Sequence, residues 1–308
     1  MEVSEDKETK YLKYLELIPK FRLMDDDFFR ACMQENKPAV QLVLRIVLEN
    51  KNLVVKKVVT QREMKNLIGH SLELDVYAED EDGKQINAEI QRKDAGAVPE
   101  RAVYYSGTLD ANSLVAREKD FGKKAETYMI MITEHDVLGG GLPIYHVERT
   151  VLEMENALFG GKSHIIYVNG AYKGDEDTEL RWLIHDLLCT DPNEMHFPEL
   201  AERVRYHKED SEGVKAMCKI MEDIKNEGRA EGRAEGRAEG ENRMSRLMSY
   251  LLKNGKTEEA VAVTESEALR EELYKNSRRG ILADLVLCCS NRSMNPCTHI
   301  ARSLCMPM

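Results

Sequence analysis

The chain has 308 residues, of which 42% are hydrophobic and 32% charged, and its formal net charge is −11. A chain of this length and mixture accommodates one large water-soluble domain and an appendage. Because no run of eighteen apolar residues occurs, we expect no membrane span and no membrane partner. The charged N-terminus, MEVSEDKETKYLKY, lacks the apolar centre of a secretory signal, so we expect a cytoplasmic protein.

Cysteine and histidine spacing argues against a disulfide framework and against a zinc finger. Four of the seven cysteines crowd the last 21 residues, and their spacing is not that of a metal finger. Reduced thiols are therefore expected, as in cytosolic proteins. The eight histidines are dispersed without a His-x₃-His pair, so the sequence predicts no zinc site.

The N-terminal segment is predicted to form helices followed by a strand. Residues 9–24 suit a helix, and the acidic run Asp25–Asp27 can cap the helix that follows it. A buried helix is predicted over residues 38–50, with Pro38 at its start. The run NLVVKKVVT, residues 52–60, is typical of a strand.

Positive charge is concentrated just before residues 71–92, which contain a series of acidic residues. Between Arg45 and His70 there are six basic and two acidic residues, a net charge of +4. A local basic surface is what binding to a phosphate backbone requires, despite the negative charge of the whole chain. Lysines scattered over a solvated face would give the same count.

Residues 71–92 are predicted to form a β-hairpin, because hydrophobic and polar residues alternate in both halves. The first half places Leu72, Leu74, Val76 and Ala78 on one face. A three-residue turn, Glu81-Asp82-Gly83, with Gly83 at positive φ, pairs the strands so that Asp75 lies opposite Glu89. A two-residue turn would slip the register by one residue and send Glu89 to the other face.

Two carboxylates directly opposed on neighbouring strands lie roughly 5 Å apart at Cβ. Asp75 and Glu89 would repel each other unless a cation lay between them, and Mg²⁺ prefers such oxygen ligands. The alternative is an amphipathic hairpin whose acidic face is only hydrated.

The remaining elements alternate between strands and helices, which predicts an α/β protein with a mixed β-sheet flanked by helices. Gly139–Gly141 lacks the residues that follow a phosphate-binding loop, so we interpret it as a flexible turn. The predicted elements are a helix over 98–111, begun by Pro99, strands at 127–133, 143–149 and 164–170, and helices over 177–189 and 198–206.

A charged repeat, EGRA-EGRA-EGRA-EG, begins at Glu227 and separates the predicted main domain from a C-terminal extension. Its glycines predict a marginal helix or a plain linker, and its small residues would allow pairing with a second copy. We divide the chain into a main domain (1–215), a repeat linker (216–242), a small helical hairpin (243–277) and a Cys-rich tail without a predicted structure (278–308).

Several runs of the sequence resemble the PD-(D/E)XK nuclease family putative transposases, also called recombination-promoting nucleases, of bacteria. The matching runs are MDDDFF, VVTQREMKNLIGHSLELDVYAEDEDGK, AEIQR, RAVYYSGTLDANSL, TYMIMITEHDVLGGGLPIYHVERT and HIIYVNGAYKG. They cover most of residues 24–225 in order. The resemblance implies a restriction-endonuclease-like core, with a C-terminal helical extension beyond it.

The resemblance also implies a function: metal-dependent DNA endonuclease activity, tied to recombination or mobile elements in the bacterial cytoplasm. Asp75, Glu89 and Gln91 occupy the catalytic positions. Mg²⁺ or Mn²⁺ would be held by Asp75, Glu89 and the Ile90 carbonyl. An acidic residue of the first core helix often joins such a site, and the candidates are Asp27 and, after it, Asp26. Arg101 could contact a phosphate or form a surface ion pair, and DNA would be the partner.

Two residues depart from the superfamily pattern. Leu74 replaces the proline before Asp75, and Gln91 replaces the usual lysine, although Glu-x-Gln is usual in this branch. A neutral amide can orient a water but offers no positive charge to the transition state. Two alternatives therefore remain: a catalytically inactive nuclease fold that binds nucleic acid or protein, and an assembly protein that forms a homo-oligomer through its C-terminal helices.

Overall fold

The computed structural model describes residues 7–64, 71–114 and 117–274. The chain divides into two compact units, the first ending at Ile224 and the second beginning at Lys225. The helices are α1 (Lys7–Leu17), α2 (Asp26–Met33), α3 (Lys37–Val47), α4 (Pro99–Ala111), α5 (Glu179–Leu188), α6 (Pro198–Glu209), α7 (Ser211–Lys253) and α8 (Thr257–Glu265). The strands are β1 (Val55–Met64), β2 (Leu72–Asp80), β3 (Gln85–Gln91), β4 (Thr127–Thr133), β5 (Ile144–Val147), β6 (Thr150–Val151), β7 (Ala157–Leu158) and β8 (Ser163–Asn169).

Six strands form a mixed sheet in the order β1-β2-β3-β4-β8-β5. The central strands β3, β4 and β8 are parallel, whereas β1, β2 and β5 pair antiparallel with their neighbours. Helices lie on both faces of this sheet, so the predicted mixed α/β architecture is confirmed. The short hairpin of β6 and β7 was not predicted from the sequence.

Strand β4 shows how the two hydrophobic layers are built. Its alternating side chains are buried on opposite faces, as expected of a central strand. Ile130 and Ile132 pack into the layer that contains α2, α3, α5 and α6. Met129 and Met131 pack with Tyr105 and Leu109 of α4. The sheet is therefore covered by several helices on one face and by α4 on the other.

The predicted faces of β2 require a correction. Leu72 and Leu74 pack with α4, whereas Val76 and Ala78 pack into the opposite layer. The alternation of side chains between the two faces of β2 is therefore interrupted at Asp75. At this point the neighbouring strand β1 contains Gln61, which has a φ of +53°. The register of β1 against β2 is the same on both sides of this point, where Thr60 pairs with Val76 and Arg62 pairs with Leu74. The irregularity therefore turns the strands locally and does not shift them.

The C-terminal part is more helical than the repeat suggested. Helix α7 runs without a break through the EGRA repeat, whose residues are exposed. In the second unit, α8 and a helical segment at 267–274 supply Val263 and Tyr274 to a small cluster with Leu247 and Leu251. The predicted tail at 278–308 lies outside the described residues. None of the described helices is long and apolar enough to cross a lipid bilayer.

Candidate active site

The hairpin of β2 and β3 has the predicted three-residue turn. The N–H of Asp80 donates to the Lys84 carbonyl at 3.1 Å, and Gly83 has φ of +81°. The strand pairs run from Glu79 with Gln85 to Val76 with Ala88. The next step in this register places Asp75 beside Glu89, so the slipped alternative is excluded.

Two crossed hydrogen bonds join Asp75 to Glu89 and to the residue after it, Ile90. Oε1 of Glu89 accepts the N–H of Asp75 at 3.0 Å, and Oδ2 of Asp75 accepts the N–H of Ile90 at 3.1 Å. Oε1 of Glu89 also accepts the side-chain amide of Asn87 at 2.9 Å. Relative exposure is 6% for Asp75 and 1% for Glu89, so these two acids are buried and not merely hydrated.

Burial raises the pKa of both carboxyls. For Asp75, the negative charges of Glu89 and Asp26 raise the pKa further, while Arg30 and the Ile90 N–H oppose the shift. For Glu89, hydrogen bonds from Asp75 and Asn87 oppose the effect of burial. Two buried acids with raised pKa values favour either a shared proton or a cation between them.

Helix α2 places a salt-bridge cluster next to this pair. Arg30 lies 3.2 Å from Oδ1 of Asp26 through Nε and 2.6 Å from Oδ1 of Asp27 through Nη2. Its Nη1 lies 3.4 Å from Glu73 and 3.9 Å from Oδ1 of Asp75. Arg30 was not predicted from the sequence. Its spacing from Asp26 and Asp27 suggests an intrahelical pair, but its approach to β2 is a tertiary contact without a local signal.

Asp26 and Asp27 differ in their surroundings although they are neighbours. Burial raises the pKa of Asp26, whose Oδ1 atom forms an ion pair with Nε of Arg30 at 3.2 Å that lacks hydrogen-bond geometry. The charge of Asp26 also raises the pKa of both Asp75 and Glu89. The two side chains are similarly exposed, 48% for Asp26 and 42% for Asp27, but Asp27 makes the shorter contact with Arg30, a hydrogen bond of 2.6 Å. Asp26 is therefore the acid of α2 that interacts with the carboxylate pair.

Gln91 ends β3, where it pairs with Thr133 of β4, and its carbonyl accepts the N–H of Glu134 at 3.0 Å. Its half-buried side chain lies against Gly96, because a Cβ atom at position 96 would be 2.0 Å from the Gln91 Oε1. Gly96 was not predicted from the sequence to be a functional residue. A glycine in a turn is common, and only the folded chain shows this close approach.

Arg101 lies in the first turn of α4. Its Nη2 donates to the Tyr105 hydroxyl at 2.8 Å, and its guanidinium lies 4.9 Å from that ring centroid. The positive charge of Arg101 lowers the pKa of Glu89 and of Asp26, which places it near the carboxylates. Tyr105 is buried and packs against Met129 and Met131 of β4.

The Gly139–Gly141 loop is built around an internal acid. Asp136 accepts the N–H groups of Gly139 at 3.0 Å and Gly141 at 2.7 Å, and the Tyr145 hydroxyl at 2.7 Å. The N–H groups of Gly140 and Leu142 donate to the Tyr145 hydroxyl at 3.0 and 3.1 Å. The backbone donors of this turn are therefore used within the loop itself.

The mixed sheet and its buried carboxylate pair define an α/β protein with a restriction-endonuclease-like core. A family model described as PD-(D/E)XK nuclease family transposase matches residues 28–239, more than half of the chain. The chain belongs to this family, whose description connects a nuclease fold with mobile elements. No curated protein and no solved structure matches the chain significantly.

Proposed function

We propose that the protein is a divalent-metal-dependent DNA endonuclease associated with recombination or mobile elements. The observation that carries this proposal is the buried, crossed pair of Asp75 and Glu89 on neighbouring strands. Burying two acids side by side costs free energy, and a structural role alone would be met by an apolar pair. A site that binds a cation explains why both acids are placed there.

The available donor atoms fit a hard divalent ion. The crossed hydrogen bonds use Oδ2 of Asp75 and Oε1 of Glu89, so Oδ1 of Asp75 and Oε2 of Glu89 would bind the metal. Carboxylate oxygens, with waters, are the ligands that Mg²⁺ and Mn²⁺ prefer. The Ile90 carbonyl remains the proposed third ligand from this hairpin.

We assign the additional acidic ligand to Asp26 in preference to Asp27. The charge of Asp26 raises the pKa of both carboxylates, and its Oδ1 atom has only an ion pair with Arg30 at 3.2 Å, without hydrogen-bond geometry. Asp27, the first candidate from the sequence, pairs with Arg30 at 2.6 Å. It would hold Arg30 in place and not contact the metal.

The remaining side chains would orient water and phosphate. A bound Mg²⁺ or Mn²⁺ would lower the pKa of a coordinated water and polarise the phosphate. The Gln91 amide would hold that water in line with the leaving oxygen of the DNA strand. The guanidinium of Arg101 would contact a phosphate oxygen, and its bond to Tyr105 fixes its direction.

Nicking of supercoiled plasmid DNA in Mg²⁺ or Mn²⁺ tests this function. We expect chelator-sensitive nicking that falls by about 100-fold or more in Asp75→Asn and in Glu89→Gln. Asp82→Asn is the matched control, because Asp82 is an exposed acid in the turn of the same hairpin. Equal nicking by the parent and both site variants would exclude this active site.

A second candidate function is DNA binding without cleavage, which is favoured by the neutral amide at Gln91. That function predicts salt-sensitive DNA binding and no metal-dependent nicking. Activity that is lost with chelator and with either carboxylate substitution would exclude it. Retained binding with no nicking by the parent chain would support it against the endonuclease.

The charged repeat in helix α7 bears on whether the protein self-associates. The repeat in α7 forms an acidic stripe (Glu227, Glu231, Glu235 and Glu239) and a basic stripe (Arg229, Arg233 and Arg237). Within each stripe, like charges lie four residues apart, which destabilises an isolated helix. We therefore propose that two copies pair through this helix, with the acidic stripe of one copy against the basic stripe of the other. We also propose that the protein acts on DNA in the bacterial cytoplasm.

A further inference from the structure

Two histidines and one aspartate converge where helix α5 meets the segment that leads into α6. His185 and Asp186 lie near the end of α5, and His196 lies two residues before α6. Nδ1 of His185 is 3.1 Å from Oδ1 of Asp186, and Nδ1 of His196 is 3.0 Å from the same oxygen. One potential ligand atom from each residue lies within 4.8 Å of the others.

The carboxylate in this group is completely buried and held by the backbone. Asp186 has 0% relative exposure, and its oxygens accept the N–H of His196 and the N–H of Phe197, all at 2.9 Å. Backbone hydrogen bonds of this kind orient a metal-binding carboxylate. Oδ1, which accepts one of these backbone N–H groups, also lies within hydrogen-bond distance of both imidazoles.

The imidazoles are fixed in direction but reachable from solvent. The ring of His196 stacks on Trp182, with centroids 5.7 Å apart and an interplanar angle of 4°. His185 meets His196 edge to face, with centroids 4.7 Å apart. Their side chains are 39% and 40% exposed, so an ion and a water could reach the ring nitrogens.

We propose that His185, Asp186 and His196 bind one borderline transition-metal ion such as Zn²⁺, with water as the fourth ligand. In a tetrahedral zinc site, bond lengths of about 2.0–2.2 Å place neighbouring ligand atoms roughly 3.3 Å apart. The observed separations of 3.0 and 3.1 Å need only a small expansion. Imidazole ligands favour Zn²⁺, Co²⁺ and Ni²⁺ over Mg²⁺, so this ion would differ from the catalytic one.

Such an ion would fasten the end of α5 to the start of α6. His185 and His196 are eleven positions apart in the sequence, and closing the intervening segment with metal bonds restricts the unfolded chain. The role is structural and uses none of the residues proposed for DNA cleavage. Without an ion, the same atoms would form a hydrogen-bonded trio, which the experiment below distinguishes.

The single tryptophan of the chain makes this site measurable. Trp182 stacks on His196, so Co²⁺ or Ni²⁺ bound there would quench its fluorescence. Titrating the full chain, without DNA and with excess Mg²⁺, should give saturable one-to-one quenching that Zn²⁺ reverses. His185→Gln and His196→Gln should each weaken the apparent affinity at least tenfold. His146→Gln, at an exposed position on β5, should match the parent.

A second readout separates metal binding from loss of fold. Zn²⁺ should raise the Tm of the parent and of Asp75→Asn, but not of the two histidine variants, whose metal-free Tm should stay near that of the parent. Absence of saturable quenching, or equal quenching and Tm shifts in all variants, would overturn the proposal and leave the hydrogen-bonded trio. Neither readout depends on DNA cleavage, so each proposal can fail independently.

Discussion

A Cβ atom at Gly96 would lie 2.0 Å from the Oε1 atom of Gln91, so no other residue fits at position 96 while Gln91 keeps its orientation. The backbone of Gly96 is outside the left-handed region, and an alanine would be accepted by the local chain conformation itself. Gly96 is therefore a positioning residue for the amide that is proposed to hold the attacking water.

Substituting Gly96→Ala tests this relationship. We expect the rate of DNA nicking to fall by about 10- to 100-fold, because the Gln91 amide must move away from the site. DNA affinity and Tm should change little. Gly107→Ala is the control, since a Cβ at Gly107 meets no atom within 4 Å. In the double variant with Gln91→Ala, the Gly96 substitution should have no added effect, and an additive loss would contradict the mechanism.

The raised pKa values of Asp75 and Glu89 predict an unusual pH dependence of stability. Burial, first, and mutual repulsion, second, raise the pKa of Asp75 in the folded state. The folded protein therefore binds more protons than the unfolded chain between the unfolded carboxyl pKa, about 4, and the higher folded pKa. Across that window, the contribution of this pair to the free energy of unfolding falls as pH rises.

Replacing Asp75→Asn should therefore stabilise the metal-free protein at neutral pH. We expect a Tm in chelator above that of the parent at pH 7–8, by about 2–4 °C for each kcal/mol of relieved repulsion. The difference should vanish near pH 4, where both acids are protonated. Mn²⁺ should raise the Tm of the parent and not of the variant. A parent that is at least as stable as the variant at pH 8 would contradict the inferred electrostatic cost.

Glu134, directly after β4, links the segment before helix α2 to the residue that follows β3. Its Oε1 lies 2.8 Å from Nη1 of Arg22, and its Oε2 lies 3.2 Å from Nε of Arg92. Partial burial opposes ionisation, but the hydrogen bonds and charges of both arginines outweigh it and lower the pKa of Glu134. Because the group is close to solvent, its net contribution to stability is that of a screened surface network.

Glu134→Gln should lower the free energy of unfolding by about 0.5–1 kcal/mol in dilute buffer and by less in 1 M salt. The folded pKa is depressed, so the contribution exists above the unfolded pKa and is lost as pH falls through the folded value. Urea unfolding at two salt concentrations measures this. Lys51→Gln, which removes an exposed 3.8 Å pair with Glu179, should have no measurable effect. Salt-independent destabilisation would point to lost packing instead.

The sequence was sufficient to predict features that depend on local patterns. The apolar run at 127–133 is β4, and the glycine of the acidic turn sets the register that brings Asp75 to Glu89. These succeed because alternation and turn length act over a few residues. The face change at Asp75 was missed, because it follows from the left-handed backbone of Gln61 on another strand.

Contacts between distant segments could not be derived in the same way. Arg30 is 45 residues from Asp75, and Gly96 meets Gln91 only because the chain folds back after β3. The group of His185, Asp186 and His196 does not form a short metal-binding motif, since His185 and His196 belong to different segments. Each of these is a tertiary contact. The spacing of residues in a single sequence does not predict such contacts.

The exposed repeat of α7 carries a separate prediction about assembly. Its acidic stripe contains Glu227, Glu231, Glu235 and Glu239, and its basic stripe contains Arg229, Arg233 and Arg237. Replacing the four acids with arginine, or the three arginines with glutamate, should abolish self-association, because each helix then carries one sign of charge. An equimolar mixture of the two variants should regain the mass of the parent assembly in light scattering.

Exchanging both stripes at once provides the matched control. A chain in which every repeat Glu becomes Arg and every repeat Arg becomes Glu keeps complementary faces and should associate like the parent. Raising salt should weaken the parent and the exchanged chain alike, since the pairing is between exposed charges. A parent that is monomeric, or single-charge variants that keep its mass, would show that the repeat acts as a plain helical linker.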